Sequence, residues 1–225
     1  MRVAALFSGG KDSIYSIYIT QQFSWDVTHL VTILPKNRDS WMFHTVNIHL
    51  AREIARAIDI PHITRETLGA KEEELEDLKK ILEKLDIDGI ISGAISSEYQ
   101  RTRIERICHD LGLKSFTPIW HKDQTMILRE QINAGFKIII VGVYADGFNE
   151  TWLGKTIDDE TIDELVSLRE IYKINTAGEG GEYETLTIDG PIFKKKIILD
   201  EYIKHWYREN GYLDIKKIHL EDKIV

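Results

Sequence analysis

One cysteine, four prolines and three methionines among 225 residues leave this chain few covalent or conformational devices beyond packing itself. The lone Cys108 excludes a disulfide framework and any Cys-rich zinc site within one chain. No apolar run approaches the roughly 20 residues that span a bilayer. The stretch Met1 to Phe7 is too short for a signal peptide, so a soluble cytoplasmic protein with no membrane association is expected. Basic side chains are in the minority: 29 Lys and Arg against 37 Asp and Glu give a net charge of −8. That balance argues against extensive nucleic-acid binding, although a local basic patch is compatible with it. What remains is ample for folding. Hydrophobic residues make up 43% and charged residues 29%, the balance of a globular protein with one large domain or a core domain plus a smaller one.

The first half alternates short apolar runs with amphipathic segments, the pattern of βα units around a mostly parallel sheet. Val3 to Phe7 reads as a strand buried on both faces, Val27 to Leu34 as a second, and Gly89 to Ile91 as another. Helical spacing appears at Ile14, Ile17 and Tyr18, from Thr45 to Ile58, and at Ile104, Ile107, Cys108 and Leu111. Residues 71–86 are mostly charged, yet Leu75, Leu78, Leu82 and Leu85 keep an apolar stripe, so the charges are the solvated face of a helix. Beyond Lys122 the alternation weakens, apart from strand-like Ile138 to Val143 and Ile192 to Leu199. The expected architecture is α/β: a Rossmann-like parallel-sheet domain over residues 1–121 and a smaller, less regular α+β domain over 122–225.

Between the first strand and first helix stands Ser8-Gly9-Gly10-Lys11-Asp12-Ser13. Two glycines let the backbone turn sharply toward a ligand, and the helix N-terminus adds unpaired N–H donors and partial positive charge suited to phosphate. Ser8 and Ser13 add hydroxyls and Lys11 a cation. Asp12 beside a phosphate implies a bridging hard cation such as Mg²⁺, with Asp12 as its ligand. The spacing matches neither the Gly-x4-Gly-Lys phosphate loop nor the dinucleotide fingerprint. It resembles the PP-loop of the ATP pyrophosphatases, adenine nucleotide alpha hydrolase-like proteins that release pyrophosphate while transferring AMP.

Further segments resemble one branch of that family, the diphthine–ammonia ligases of compact archaeal type. They are Trp41 to His44, Gly93 to Arg103, Cys108, Leu111-Gly112-Leu113, Pro118-Ile119-Trp120 and Gly178-Glu179-Gly180-Gly181-Glu182-Tyr183-Glu184-Thr185. The resemblance implies ATP-dependent amidation of diphthine on translation elongation factor 2, through an acyl-adenylate that ammonia attacks. ATP and Mg²⁺ are the implied cofactors; ammonium and the factor are the implied partners. A homo-oligomer is compatible with it. The implied ATP site takes in Ser8, Gly9, Gly10, Lys11, Asp12, Ser13, His44 and Gly93. Tyr99, Gln100, Arg101, Arg103, Gly180, Gly181, Glu182, Tyr183 and Glu184 are assigned to substrate, and Asp12, Glu182 and Glu184 also to catalysis.

Plainer readings stand beside these. Ser97 and Gln100 fit a helix capping box, and Arg101 and Arg103 fit solvated arginines. His44 and His49, five apart, lack metal-ligand spacing, and Trp41 and Phe43 fit core positions. Cys108 shares an apolar helix face, as a buried thiol does. Three glycines and three glutamates make the 178–185 segment a poor strand or helix core and fit a solvated turn. The rival functions are a tRNA-modifying PP-loop enzyme and a non-catalytic nucleotide sensor; a sensor binds ATP without forming AMP.

Overall fold

The computed structural model describes residues 1–35, 46–67 and 71–223; Trp41, Phe43 and His44 lie outside these. The chain divides into two compact units. The first comprises residues 1–8, 12–56 and 60–120, and the second residues 9–11, 57–59 and 121–225.

The first unit is a five-stranded parallel sheet with the order β3-β2-β1-β4-β5. Its strands are β1 (Arg2–Leu6), β2 (Asp26–Pro35), β3 (His62–Thr67), β4 (Gly89–Ile91) and β5 (Lys114–Phe116). Helices α1 (Lys11–Gln22), α2 (Ala51–Ile58), α3 (Lys71–Leu82) and α4 (Glu98–Leu111) connect them. Small Ala4 and Ala5 occupy the central strand at 1% exposure, where both faces are covered and bulk would not fit. The leucine stripe of α3 packs as the pattern predicts. Leu78 and Leu82 are buried with Ile90, Ile104, Ile107 and Cys108, and Leu75 and Leu85 flank them. Burial pushes the Cys108 thiol up to about 11, so it is un-ionised at neutral pH. The capping reading also holds: the Ser97 side chain accepts from the Gln100 backbone N–H at the start of α4. The strand order reverses direction between β1 and β4, which in open α/β sheets opens the ligand crevice at the strands' carboxyl ends.

The second unit contains helices α5 (Gln124–Asn133) and α6 (Asp159–Tyr172) and an antiparallel sheet of order β7-β6-β9-β8. Its strands are β6 (Lys137–Val143), β7 (Tyr183–Asp189), β8 (Lys195–Tyr207) and β9 (Asn210–Asp222). This part is more regular than the expected irregular domain. Apart from β6, whose Ile138 to Val143 is a continuous buried apolar run, its strands mix apolar and charged residues, as one-sided antiparallel sheets do. The strand expected at Ile192 to Leu199 is β8, which starts at Lys195 and runs to Tyr207. The 178–185 segment also departs from the solvated-turn reading, because Tyr183, Glu184 and Thr185 open β7. No helix among the described residues is long and apolar enough to cross a membrane.

His62 ties three strands of the first unit together. Its Nε2 lies 2.8 Å from Thr32 Oγ1, which donates to the Phe7 carbonyl at 2.6 Å. The single Thr32 proton is thereby committed, so His62 donates from Nε2. Burial, reinforced by the charge of Arg52, lowers its pKa from 6.5 to about 4. Folding thus disfavours the proton that the unfolded chain binds below about pH 6.5. The stability is intact above that value and is lost as pH falls toward 4, by up to about 3 kcal/mol. Denaturant titrations at pH 7, 5 and 4 should show that loss for the wild type and a smaller one for His62→Gln.

Candidate active site

In the first unit, β1 delivers the chain through Phe7 to Ser8, and Asp12 and Ser13 stand in the first turn of α1. Ser8 Oγ and Ser13 Oγ lie 3.2 Å apart, and the Ser8 N–H points at Ser13 Oγ from 3.4 Å. This pairing draws the two hydroxyls flanking the glycines onto one spot. Gly93 follows β4 at the same crevice. A Cβ there would sit 2.8 Å from the Asp12 carbonyl carbon and the Ser13 nitrogen, so only glycine lets the β4 exit approach the first turn of α1. Gly93 serves the loop by making room for it.

In the second unit, Gly9 to Lys11 run beside β7. The Thr187 N–H donates to the Gly9 carbonyl at 3.0 Å, and the Lys11 N–H donates to Thr185 Oγ1 at 3.2 Å. Lys11 is 4% exposed; its Nζ donates to the Ala177 carbonyl at 2.6 Å and lies 5.7 Å from the Tyr183 ring centroid. Tyr183 is itself fixed, because its hydroxyl donates to the Thr176 carbonyl at 2.7 Å. Strand alternation sets Tyr183 and Thr185 on one face of β7 and Glu184 on the other.

The glutamates of the segment therefore have different surroundings. One Glu182 carboxylate oxygen accepts from both Asn175 nitrogens, at 2.8 and 2.7 Å, and the other accepts from the Gly180 N–H at 2.8 Å. Gln124 extends this brace by donating to Asn175 Oδ1 and accepting from the Ala177 N–H, at 3.1 and 3.0 Å. Three hydrogen bonds on one carboxylate are a means of shaping a loop. Glu184 instead lies near Tyr144, whose phenol is raised above the ordinary tyrosine range by burial first and by the Glu184 charge second. Gly180 is exposed and Gly181 takes φ 84°, both at the tip of the turn.

On α4, the Arg101 guanidinium lies 4.6 Å over the Trp120 ring, and its Nε donates to Glu105 at 2.7 Å. Arg103 lies 3.5 Å over the Tyr99 ring and donates to the Tyr99 carbonyl at 3.3 Å. Both arginines are thus held by aromatic faces and are not simply solvated. Gln100 belongs to the helix cap described above, and His44 lies outside the described residues.

Among the described residues no group of three or more His, Cys, Asp or Glu side chains converges as a metal site. A single carboxylate such as Asp12 still suits Mg²⁺, which takes one or two protein carboxylates and completes its shell with phosphate oxygens and water. Thr185, Ala177 and Gln124 are the contributors that motif reading missed. Only Thr185 carried a signal, as the last residue of the Gly-Glu-rich segment.

Two family models match the chain: the diphthamide synthase N-terminal domain over residues 1–115 and the diphthamide synthase C-terminal domain over residues 123–220. The diphthine–ammonia ligase of Homo sapiens is 36% identical, over 100% of this chain and 94% of the human protein. That of Danio rerio is 36% identical over 99% of this chain and 98% of its own length. That of Schizosaccharomyces pombe is 34% identical over 96% of this chain but only 39% of its own length, so it carries much sequence besides.

The Glu182 brace yields a direct check. Glu182→Ala strands the Asn175 and Gly180 donors and should lower the unfolding free energy by about 1–3 kcal/mol in denaturant titrations. Gly93→Ala should weaken ATP binding in calorimetry, because its methyl group displaces the first turn of α1.

Proposed function

The chain belongs to the diphthine–ammonia ligase (diphthamide synthase) family, and from that premise we propose that it converts diphthine on translation elongation factor 2 to diphthamide using ATP and ammonium. The observation that carries this reading is a phosphate loop whose lysine is held by the same Gly-Glu-rich segment that marks the family resemblance.

The chemistry explains the loop. A carboxylate oxygen is a very poor leaving group, so the diphthine carboxylate first attacks the α-phosphorus of ATP and pyrophosphate departs. Ammonia then attacks the acyl carbon, AMP leaves with the carbon–oxygen electron pair, and the nitrogen sheds its extra proton to water. Ser8, Ser13 and the first-turn N–H groups of α1 bind the departing pyrophosphate, and Lys11 offsets its charge, a preorganised stabilisation. Asp12 would hold Mg²⁺, which when bound neutralises phosphate charge. Glu182 shapes the segment through its three hydrogen bonds, and Glu184 faces the acceptor. Arg101 and Arg103, with Tyr99, follow β4 and are the first unit's candidates for acceptor contact.

Ammonium is assigned as the nitrogen source because glutamine hydrolysis in a conventional glutaminase needs an activated nucleophile, usually a cysteine. The only cysteine, Cys108, is buried and un-ionised.

The test is mass spectrometry of the modified histidine after incubating a diphthine-bearing factor with ATP, Mg²⁺ and ammonium. Wild type and Cys108→Ala should give the amide, and Asp12→Ala should leave the acid while keeping its melting temperature. Binding of ATP with no AMP formed in the presence of acceptor would favour a sensor. Turnover with glutamine alone, lost on replacing Cys108, would overturn the ammonium assignment.

A further inference from the structure

The face of the four-stranded sheet turned away from Tyr183 and Thr185 carries a continuous aromatic row. Glu184 of β7 stands opposite Gly142 of β6, Gly142 opposite Tyr212 of β9, and Tyr212 opposite His205 of β8. Directly paired residues share a face, so these positions form one line across four strands. The alternating positions Val143, Tyr183 and Leu213 are 0%, 3% and 1% exposed, which makes theirs the buried face and the row the outer one. Tyr144 fills the gap at Gly142: a Cβ on that glycine would lie 2.6 Å from the Tyr144 hydroxyl. Tyr207, two residues beyond His205, extends the line. Its ring centroid is 6.4 Å from both His205 and Tyr212, at interplanar angles of 4° and 27°. His205 and Tyr212 stack at 4.8 Å.

Such a row is costly to leave in water. Tyr144 and Tyr207 are 42% and 55% exposed, and contiguous aromatic surface of this kind marks a binding face. Its chemistry selects the ligand. Aromatic faces are electronegative and lack hydrogen-bond acceptors of ordinary strength, and Glu184 sets a carboxylate at one end. Together they suit a cation that donates no hydrogen bonds, which is a quaternary ammonium. A primary ammonium would lose its hydration there without full replacement. Asp214, also on this face, is 2.6 Å from Lys216 and 3.4 Å from His205 Nε2.

We propose that Tyr144, Tyr212, His205 and Tyr207, with Glu184, form the seat for the trimethylammonium-bearing side chain of protein-bound diphthine. The assignment rests on the amidation reading, because it is that acceptor which brings a quaternary ammonium next to the carboxylate to be activated. The row gives the enzyme a means of choosing the methylated acceptor that the phosphate loop cannot supply.

The experiment measures KM for diphthine-bearing factor and for ATP in Tyr144→Leu and Tyr207→Leu, with Tyr144→Phe and Tyr207→Phe as conservative partners. Loss of one π face should raise the acceptor KM at least about fivefold, leave the ATP KM in place, and be rescued by Phe. Tetramethylammonium chloride should inhibit competitively against the acceptor, beyond sodium chloride at equal ionic strength, and should shift the Tyr144 and Tyr207 ring resonances. An acceptor KM unmoved in both Leu variants overturns the seat while leaving the amidation reading intact. A wild type that binds ATP but makes no amide overturns the amidation reading. Ring shifts with tetramethylammonium would then still support a quaternary-ammonium seat, and their absence would overturn it.

Discussion

A buried ammonium group organises this protein. Taking a lysine charge out of water costs several kcal/mol unless partners replace its hydration, and Lys11 finds them in the Ala177 carbonyl and the Tyr183 ring. Those partners are fixed in turn: Tyr183 by its hydroxyl on Thr176, and the Ala177 backbone by Gln124. The glycine- and glutamate-rich turn is closed by Glu182 on Asn175 and Gly180. A small hydrogen-bonded network in the second unit therefore sets where Lys11 stands. A disturbance as remote as Glu182 reaches the loop through it.

The same strand divides its labour by pleat. Along Tyr183-Glu184-Thr185 the odd positions turn toward Lys11 and the even one turns to the opposite face. Three adjacent residues thereby meet two different surroundings, Lys11 on one face and Tyr144 on the other. Gly142 matters for the neighbouring strand because its missing side chain is the space that the Tyr144 phenol occupies.

The inner strands β1, β2 and β4 were legible in the sequence because buried parallel strands are written as mostly apolar runs, whereas the edge strands β3 and β5 carry polar sequence. Gly89 to Ile91 is read to the residue, and the leucine stripe of α3 packs as its spacing requires. The antiparallel sheet was legible only at β6 and at the start of β8; the rest of β8 and β9 interleaves lysines and glutamates with apolar residues and reads as irregular polar chain. The Ser8 to Ser13 turn was legible as a strand-to-helix junction from its glycines and hydroxyls at fixed spacing. The different surroundings of the glutamates were not: a carboxylate that braces a turn and one that stands beside a tyrosine are written with the same letter. Only the register of β7 and the hydrogen bonds of Asn175 separate Glu182 from Glu184. Gly93 was singled out from its motif, and the backbone adds a steric need for an absent side chain beside Asp12 and Ser13.

The most direct test of this account is ATP affinity in a double-mutant cycle between Lys11 and Tyr183. Calorimetry would compare wild type, Lys11→Met, Tyr183→Leu and the double variant. If the ring acts by holding the ammonium, Tyr183→Leu weakens ATP binding in the wild-type background and adds nothing once Lys11 is gone. Additive losses would mean that Tyr183 and Lys11 act independently, and the claim that the Gly-Glu-rich segment positions the phosphate loop would be wrong.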